Sequence, residues 1–348
     1  MTEVRHVDPV HPDPVAVAHA AKCLQRCGLV AFPTETVYGL GAHALDPSAV
    51  RRIFVAKGRP ATDPLIIHVA DLDHAKPLVV VLPTTATSLA ALFWPGPLTM
   101  VMRRSTVVPD EVTAGLDTVA IRVPAHPVAR ALLEAAHLPI AAPSANLFSR
   151  PSPTLASHVL DDLDGRIDMV LDAGPTSVGV ESTVLDLTHT PPIVLRPGAI
   201  TIEMLRDILP DVVPATIVGA PGGPLPSPGL LPRHYAPNAP LTLYQGRPSR
   251  AFAALIARAH AEVDRGRRVG VLVTTDRTAE FGGINVVVAD LGQPEPAGVA
   301  ARLYQALREL DAVHVDCILA VDFPATTGLW VALRDRLRRA ATDVVQVD

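Results

Sequence analysis

Short apolar runs of strand length alternate with amphipathic runs of helix length along almost the whole chain, and one Pro/Gly-dense stretch, residues 210–240, breaks the alternation. That pattern restricts the chain to α/β layers, built once before the break and once after it. Asp13-Pro14 reads as an N-cap with proline at the first helical position, and Gly28 reads as the closing residue. Asp46-Pro47 opens a second helix, with Gly58 at its C′ position. Strands are expected at 29–32, 65–69, 98–102, 119–123, 140–142, 169–171, 183–187 and 193–195, and helices at 83–93, 127–136, 155–163 and 202–209. After the break come strands at 241–244, 269–274, 285–289 and 317–321, with helices at 251–265, 299–310 and 331–341. That order predicts a small Rossmann-like domain. It carries no G-x-G-x-x-G run, so the fold alone does not license a dinucleotide site. With 348 residues, at roughly 100–200 per domain, the boundaries fall at 1–208, a linker at 209–240, and 241–348.

Composition narrows the function classes. The chain is 49% hydrophobic, enough for two cores, yet it has no apolar run of about 18 residues that would read as a membrane span. Residues 1–14 mix acids, histidine and proline and do not read as a signal peptide, so a cytoplasmic location is expected. Cys23, Cys27 and Cys317 are odd in number and lack disulfide spacing, which fits a reducing compartment. Cys23 and Cys27, four apart on the first helix, have no further ligands nearby and read as ordinary thiols. The net charge of −5 lies entirely in residues 1–208, with 16 Lys+Arg against 21 Asp+Glu; residues 209–348 carry 14 of each. Neither part has the basic surplus of a nucleic-acid binder.

Several polar clusters end predicted strands. Pro33-Thr34-Glu35-Thr36-Val37-Tyr38-Gly39 places hydroxyls and a carboxylate there; it reads as a self-satisfied turn or as a ligand loop. Lys57-Gly58-Arg59-Pro60 reads as macrodipole compensation or as an anion clamp. Ala142-Pro143-Ser144-Ala145-Asn146 and Gly179-Val180-Glu181-Ser182-Thr183 repeat the theme. Arg122, inside an apolar strand, requires an anionic partner, either a structural acid or a ligand. Arg196 poses the same question. Glu35 is a candidate to orient a hydroxyl or the Lys57 ammonium. No Ser-His-Asp or Cys-His arrangement points to a covalent nucleophile.

These segments, with Trp94-Pro95-Gly96-Pro97-Leu98-Thr99 and Leu195-Arg196-Pro197-Gly198, resemble in order and spacing the signature of the YrdC-like family over residues 10–208. The linker and the C-terminal part of the chain are similar to the long, two-domain form of L-threonylcarbamoyladenylate synthase. The resemblance implies a twisted mixed-sheet YrdC-like catalytic domain, a Pro/Gly-rich linker and a Rossmann-like C-terminal domain. It implies synthesis of threonylcarbamoyl-AMP from L-threonine, bicarbonate or CO2 and ATP, with release of pyrophosphate. The product would pass to a transferase that modifies tRNA. By the same resemblance, Thr36, His68, Arg122, Ala142 and Ser182 are threonine-binding. Arg59, Asp63, Thr118, Ser144, Asn146, Ser152, Arg196, His234 and Tyr235 are ATP-binding, and Lys57 and Arg59 carry the catalytic charge. Mg2+ is expected with the nucleotide rather than on protein ligands alone. The segment from Ser227 to Pro237 resembles the family's lid.

Three departures stand out. The family has Asn where Asp63 stands, a basic and an aromatic residue where Leu231 and Pro232 stand, and Gly-Leu-Gly and Asn-Arg-Leu where this chain has Gly328-Leu329-Trp330 and Asp335-Arg336-Leu337. Two other readings compete. One is an RNA-binding module with a basic YrdC-like cleft, with direct tRNA contact as its signature. The other is a carbamoyl-handling domain of the hydrogenase-maturation type, which would bring cysteine runs that are absent here.

Overall fold

The computed structural model describes residues 1–215, 225, 227–231 and 233–347. Within the Pro/Gly-dense stretch, residues 216–224 and 226 and the Pro232 noted above lie outside the described residues. The chain divides into two compact units, Met1–Phe148 with Pro153–Leu230, and Ser149–Ser152 with the residues from Leu231 onward.

The first unit contains β1 (Glu3–His6), β2 (Val30–Phe32), β3 (Gly39–His43), β4 (Ile66–His68), β5 (Leu98–Arg103), β6 (Thr118–Arg122), β7 (Ile140–Ala141), β8 (Met169–Asp172), β9 (Thr183–Asp186), β10 (Ile193–Arg196) and β11 (Val213–Pro214). They form one mixed sheet in the order β1-β8-β2-β3-β7-β4-β6-β5-β9-β10-β11. Helices pack on it through small and branched side chains: Ala49, Val50 and Ile53 of the Pro47–Lys57 helix are fully buried with Leu40, Ile67 and Ile121 of the strands. At about 25 cal/mol per Å2 of apolar surface removed from water, each such side chain contributes roughly 1.5–3 kcal/mol.

Two helix ends shape the unit. Asp46 caps the second helix by accepting from Ser48 N–H at 2.7 Å and Ala49 N–H at 2.9 Å. Its far end is a Schellman turn: Gly58 has φ 64°, its N–H donates to Val55 O, and Arg59 N–H donates to Phe54 O at 3.0 Å. The first helix, Pro14–Gln25, ends the same way but not at Gly28 as expected. Cys27 occupies the left-handed position at φ 62°, with its N–H on Leu24 O, while Gly28 N–H donates to Cys23 O at 2.8 Å. Gly28 is needed for clearance, because a Cβ there would sit 2.4 Å from Cys23 Sγ.

Strand β3 was not expected. Its sequence, Gly-Leu-Gly-Ala-His, has little strand propensity, yet Gly41 is required: a Cβ would lie 2.8 Å from both Ile140 Cγ2 and Phe32 Cε1. The charged β1 and the short β11 also escaped notice, being edge strands with no apolar alternation.

The second unit holds β12 (Leu241–Gly246), β13 (Val269–Val273), β14 (Val286–Asp290), β15 (Cys317–Val321) and β16 (Asp343–Val347). The sheet is parallel throughout, in the order β14-β13-β15-β12-β16, which is the Rossmann-like layering expected. The helices Pro248–Asp264, Pro296–Ala312 and Trp330–Ala340 connect its strands. The exposed edge strand β16 was missed because its valines are followed by no turn signal, only by the last residue given. No helix among the described residues is long and apolar enough to cross a membrane.

Candidate active site

Strand register assembles the first group of polar residues. His68, at the end of β4, pairs with Arg122, at the end of β6. On the other side of β6 runs β5, whose Thr99 pairs with Val184 of β9, and Val184 pairs in turn with Arg196 of β10. A row of polar side chains thus crosses β4-β6-β5-β9-β10 where β4, β6 and β10 finish and β5 and β9 begin. Thr99, a lone hydroxyl in an apolar strand, is fully buried and lies 2.8 Å from Ser182 Oγ. Arg196 donates to Ser182 Oγ at 3.1 Å, to Ser182 O at 3.1 Å and to Pro228 O at 3.2 Å. Gly198 makes this approach possible, since a Cβ there would lie 2.4 Å from Thr183 N and 2.7 Å from Glu181 O.

The Thr34–Val37 turn reaches the same row. Thr34 Oγ1 donates to Val37 O at 2.6 Å and lies 2.8 Å from Thr36 Oγ1, so the turn is self-satisfied, as one reading held. It is also a ligand-facing loop candidate: Arg122 donates to Thr36 Oγ1 at 2.9 Å and to Glu35 Oε1 at 2.5 Å. Glu35 is therefore the structural acid that Arg122 required, and it does not orient the Lys57 ammonium. Burial opposes its ionisation, Arg122 outweighs that effect, and the Glu35 carboxyl stays below the usual carboxylate range. Three of the five guanidinium N–H groups of Arg122 are used on Glu35, Thr36 and Gly96 O. His68 is held neutral: burial first, then the Arg122 charge, push its pKa down to about 3. Its Nδ1 has no hydrogen-bond partner and is buried. Ala142, also buried, follows β7, and its N–H donates to Ile66 O at 2.9 Å.

The second group lies where the Pro47–Lys57 helix ends. The Schellman turn drops Lys57 and Arg59 into the protein, where they are 2% and 7% exposed. Lys57 Nζ donates to Ser144 O at 2.6 Å and to Asn146 O at 2.5 Å, fastening the helix end to the segment after β7. Arg59 donates to Pro64 O at 2.8 Å and sits 3.0 Å from Asp63 Oδ1. Burial pushes the Asp63 carboxyl up, against the pull of Arg59, Lys57 and Arg196. Macrodipole compensation does not describe Lys57, since the cation is buried on carbonyls of another segment rather than solvated at its own helix end. Ser144 forms a bridge with Gly39, and Thr118 opens β6, at the edge where β4 also begins. About four strand residues, or roughly 13 Å, separate Thr118 from Arg122.

The remaining assigned residues belong to the second unit. Ser152 is fully buried there. Tyr235 adopts φ 61°, with its ring 4.1 Å from His234, 5.5 Å from Tyr304 and 5.3 Å from the Arg336 guanidinium. Leu231 O accepts from Arg339 at 2.6 Å. Ser227–Leu230 stays with the first unit. Glu35 as the Arg122 partner, Thr99 and Gly198 were not singled out for these roles. The isolated Thr in an apolar strand was the one available signal.

The geometry defines a two-unit α/β protein, with a mixed sheet that carries buried cations and hydroxyls at its strand ends in one unit and a parallel Rossmann-like sheet in the other. Residues 22–198 match the family described as telomere recombination, Sua5/YciO/YrdC, and residues 200–342 match the threonylcarbamoyl-AMP synthase C-terminal domain. The threonylcarbamoyl-AMP synthase of Pyrococcus abyssi is 44% identical over 326 residues, covering 92% of this chain and 93% of the relative. That of Bacillus subtilis is 45% identical over 328 residues, covering 93% and 92%. The crystal structure of P. abyssi Sua5 complexed with L-threonine superposes with a TM-score of 0.91 at 40% identity, covering 100% of both chains. Escherichia coli YciO matches 57% of this chain and 96% of its own with a TM-score of 0.50 at 26% identity. The chain belongs to the threonylcarbamoyl-AMP synthase family, in its two-domain form, and is an AMP-transferring enzyme.

Proposed function

We propose that the chain condenses L-threonine, bicarbonate and ATP into threonylcarbamoyl-AMP on the row His68–Arg122–Ser182–Arg196 and the Lys57–Arg59–Asp63 cluster. The single observation that supports this is the buried row at the strand ends, where Arg122 holds Thr36 and Arg196 holds Ser182. The threonine amine and bicarbonate give a carbamate and water. A carbamate oxygen then attacks the α-phosphorus, the bond to the β-phosphate bridging oxygen breaks, and pyrophosphate leaves. Carbamate, carboxylate and triphosphate repel one another strongly in a cleft of low dielectric. Lys57, Arg59, Arg122 and Arg196 supply the opposing charge, and Glu35 fixes Arg122 so that its free N–H groups meet the threonine carboxylate. Thr36, Ala142 and Ser182 border the same amino acid, and neutral His68 offers it an uncharged ring. Arg59, Asp63, Thr118, Ser144, Asn146 and Arg196 take the nucleotide. Positioning and charge stabilisation suffice for an in-line displacement, with no covalent protein intermediate.

Among the described residues no group of three His, Cys, Asp or Glu is placed to hold a metal on its own. Mg2+ fits as a companion of the triphosphate, where it would neutralise charge, and Asp63 is the carboxylate that could share it, with Oδ1 paired to Arg59 and Oδ2 buried without a hydrogen bond. The three free cysteines support a cytoplasmic location. The product is an activated carbamoyl donor, consumed by a separate tRNA-modifying transferase. Pyrophosphate release from ATP tests the reading: it is expected only when threonine and bicarbonate are both present, and release indifferent to threonine overturns it. Lys57→Ala and Arg59→Ala are each expected to lose roughly tenfold to a hundredfold in turnover, the worth of a charged hydrogen bond of about 1.5–3 kcal/mol.

A further inference from the structure

We propose that Thr99 is a positioning residue: it fills a lone pair of the Ser182 hydroxyl and so turns the Ser182 proton toward an oxygen of the bound amino acid. The inference rests on the reading that Ser182 borders that amino acid, and it adds a residue that does not touch the ligand itself.

Ser182 stands just before β9, and a serine hydroxyl rotates until something holds it. Thr99 is the second residue of β5, which runs beside β9 with Leu98 against Thr183 and Thr99 against Val184. Its strand reads Leu-Thr-Met-Val-Met-Arg, so a valine at 99 would serve packing as well as the threonine does. A β-branched side chain in a strand is stiff at χ1, and that makes Thr99 a fixed point for its mobile neighbour. Both residues are buried, Thr99 completely.

Counting protons gives the direction. A hydroxyl has one proton and two lone pairs. Arg196 fills one lone pair of Ser182 Oγ at 3.1 Å. The 2.8 Å contact with Thr99 Oγ1 takes either the other lone pair or the proton. If Ser182 donates, the Thr99 proton is sealed inside the sheet, because among the described residues the Thr99 hydroxyl meets only Ser182. A buried donor without an acceptor is the unfavourable case. If Thr99 donates, both lone pairs of Ser182 are filled and its proton points away from Arg196 and Thr99. An acceptor oxygen on the ligand reaches that proton and selects the second arrangement, in which every group is paired. Accepting from a guanidinium also makes Ser182 a stronger donor.

Thr36 has the opposite polarity. Thr34 Oγ1 lies 2.6 Å from Val37 O, and only the Thr34 proton can bridge those two oxygens. The proton in the 2.8 Å contact between Thr34 and Thr36 is therefore that of Thr36. Arg122 fills one lone pair of Thr36 Oγ1 at 2.9 Å. Thr36 thus has a lone pair to offer and no proton. Of these two hydroxyls, Ser182 is the one that can donate to the amino acid.

L-Threonine binding to the full-length protein, measured by calorimetry without bicarbonate, tests the role. Thr99→Val keeps the shape and removes the hydroxyl; it is expected to weaken L-threonine roughly threefold to tenfold, the worth of a neutral hydrogen bond, with ATP affinity and melting temperature unchanged. Thr99→Ser restores the hydroxyl and should bind L-threonine within about twofold of the parent protein. Ser182→Ala should weaken L-threonine at least as much as Thr99→Val. Adding Thr99→Val to Ser182→Ala should then cost nothing more, because Thr99 acts through Ser182. Should Thr99→Val fail to fold, Thr99→Cys, whose S–H is a weak donor, reads the same loss. Full affinity in the foldable Val or Cys variant, a loss in Thr99→Ser equal to theirs, or additive losses in the double variant overturns the role of Thr99 and leaves Ser182 at the amino acid. Parallel losses of ATP affinity and melting temperature make Thr99 a packing residue and overturn it too. Full affinity in Ser182→Ala overturns the underlying reading, and the inference with it.

Discussion

Arg122 donates one N–H to Glu35 Oε1 at 2.5 Å and another to Thr36 Oγ1 at 2.9 Å, so a turn between β2 and β3 fixes a cation at the end of β6. The pair is buried on both sides, at 4% and 10% side-chain exposure. Its value lies in aim rather than in net stability, because desolvation offsets much of the attraction. Glu35→Gln is expected to raise the KM for threonine about tenfold and leave the KM for ATP within twofold, as steady-state pyrophosphate release will show. Glu35→Ala should also cost about 3–5 kcal/mol in denaturant unfolding, because it strands a buried guanidinium.

Asp63 brings a buried carboxyl to the proposed nucleotide site, where the family pattern has an amide. If it repels phosphate, Asp63→Asn lowers the KM for ATP severalfold. If it shares Mg2+, the same substitution raises the Mg2+ concentration needed for half-maximal ATP binding, measured by calorimetry without turnover. Asp63 Oδ2, buried and free of a hydrogen bond while Oδ1 pairs with Arg59, favours the second outcome.

His68 titrates far below an ordinary histidine. The unfolded chain takes up its proton near pH 6.5, while the folded protein does so only at about 3. The unfolded state thus binds more protons across that window, and stability falls as pH drops through it, by up to about 1.4 kcal/mol per pH unit. His68→Gln is expected to flatten this part of the stability–pH curve. A curve unchanged between pH 6.5 and 4 would show that the imidazole is already protonated in the fold.

Gly198 lies against the backbone of residues 181–183 with no room for a methyl group. Gly198→Ala must push Ser182 away from Arg196 and Thr99. Turnover should fall at least about tenfold with a loss of roughly 1–3 kcal/mol in stability, the range for an overpacked contact. Gly58→Ala, at a left-handed position with open space around it, should cost only about 1 kcal/mol and little activity.

Much of this protein was legible residue by residue. The caps Asp13 and Asp46 and the glycine at 58 stood where local rules put them, because those rules concern neighbours in sequence. The apolar runs gave most of the strands, and the motif segments such as Lys57-Gly58-Arg59-Pro60 and Ala142-Pro143-Ser144-Ala145-Asn146 carried the resemblance to the family. What stayed hidden was long-range. β3 could not be read because its glycines answer to Ile140 and Phe32, distant in the chain.

Sequence by itself determined that two α/β units would form and that cations and hydroxyls would gather in the first. It left open whether Arg122 faced a substrate or an acid, and whether Lys57 served its own helix. Tertiary structure decided both: Glu35 came from across 87 positions and the carbonyls of Ser144 and Asn146 from 87 and 89. The reason is that a buried charge is satisfied by whatever the fold brings within about 3 Å, and that distance is set by strand register and helix ends rather than by separation along the chain.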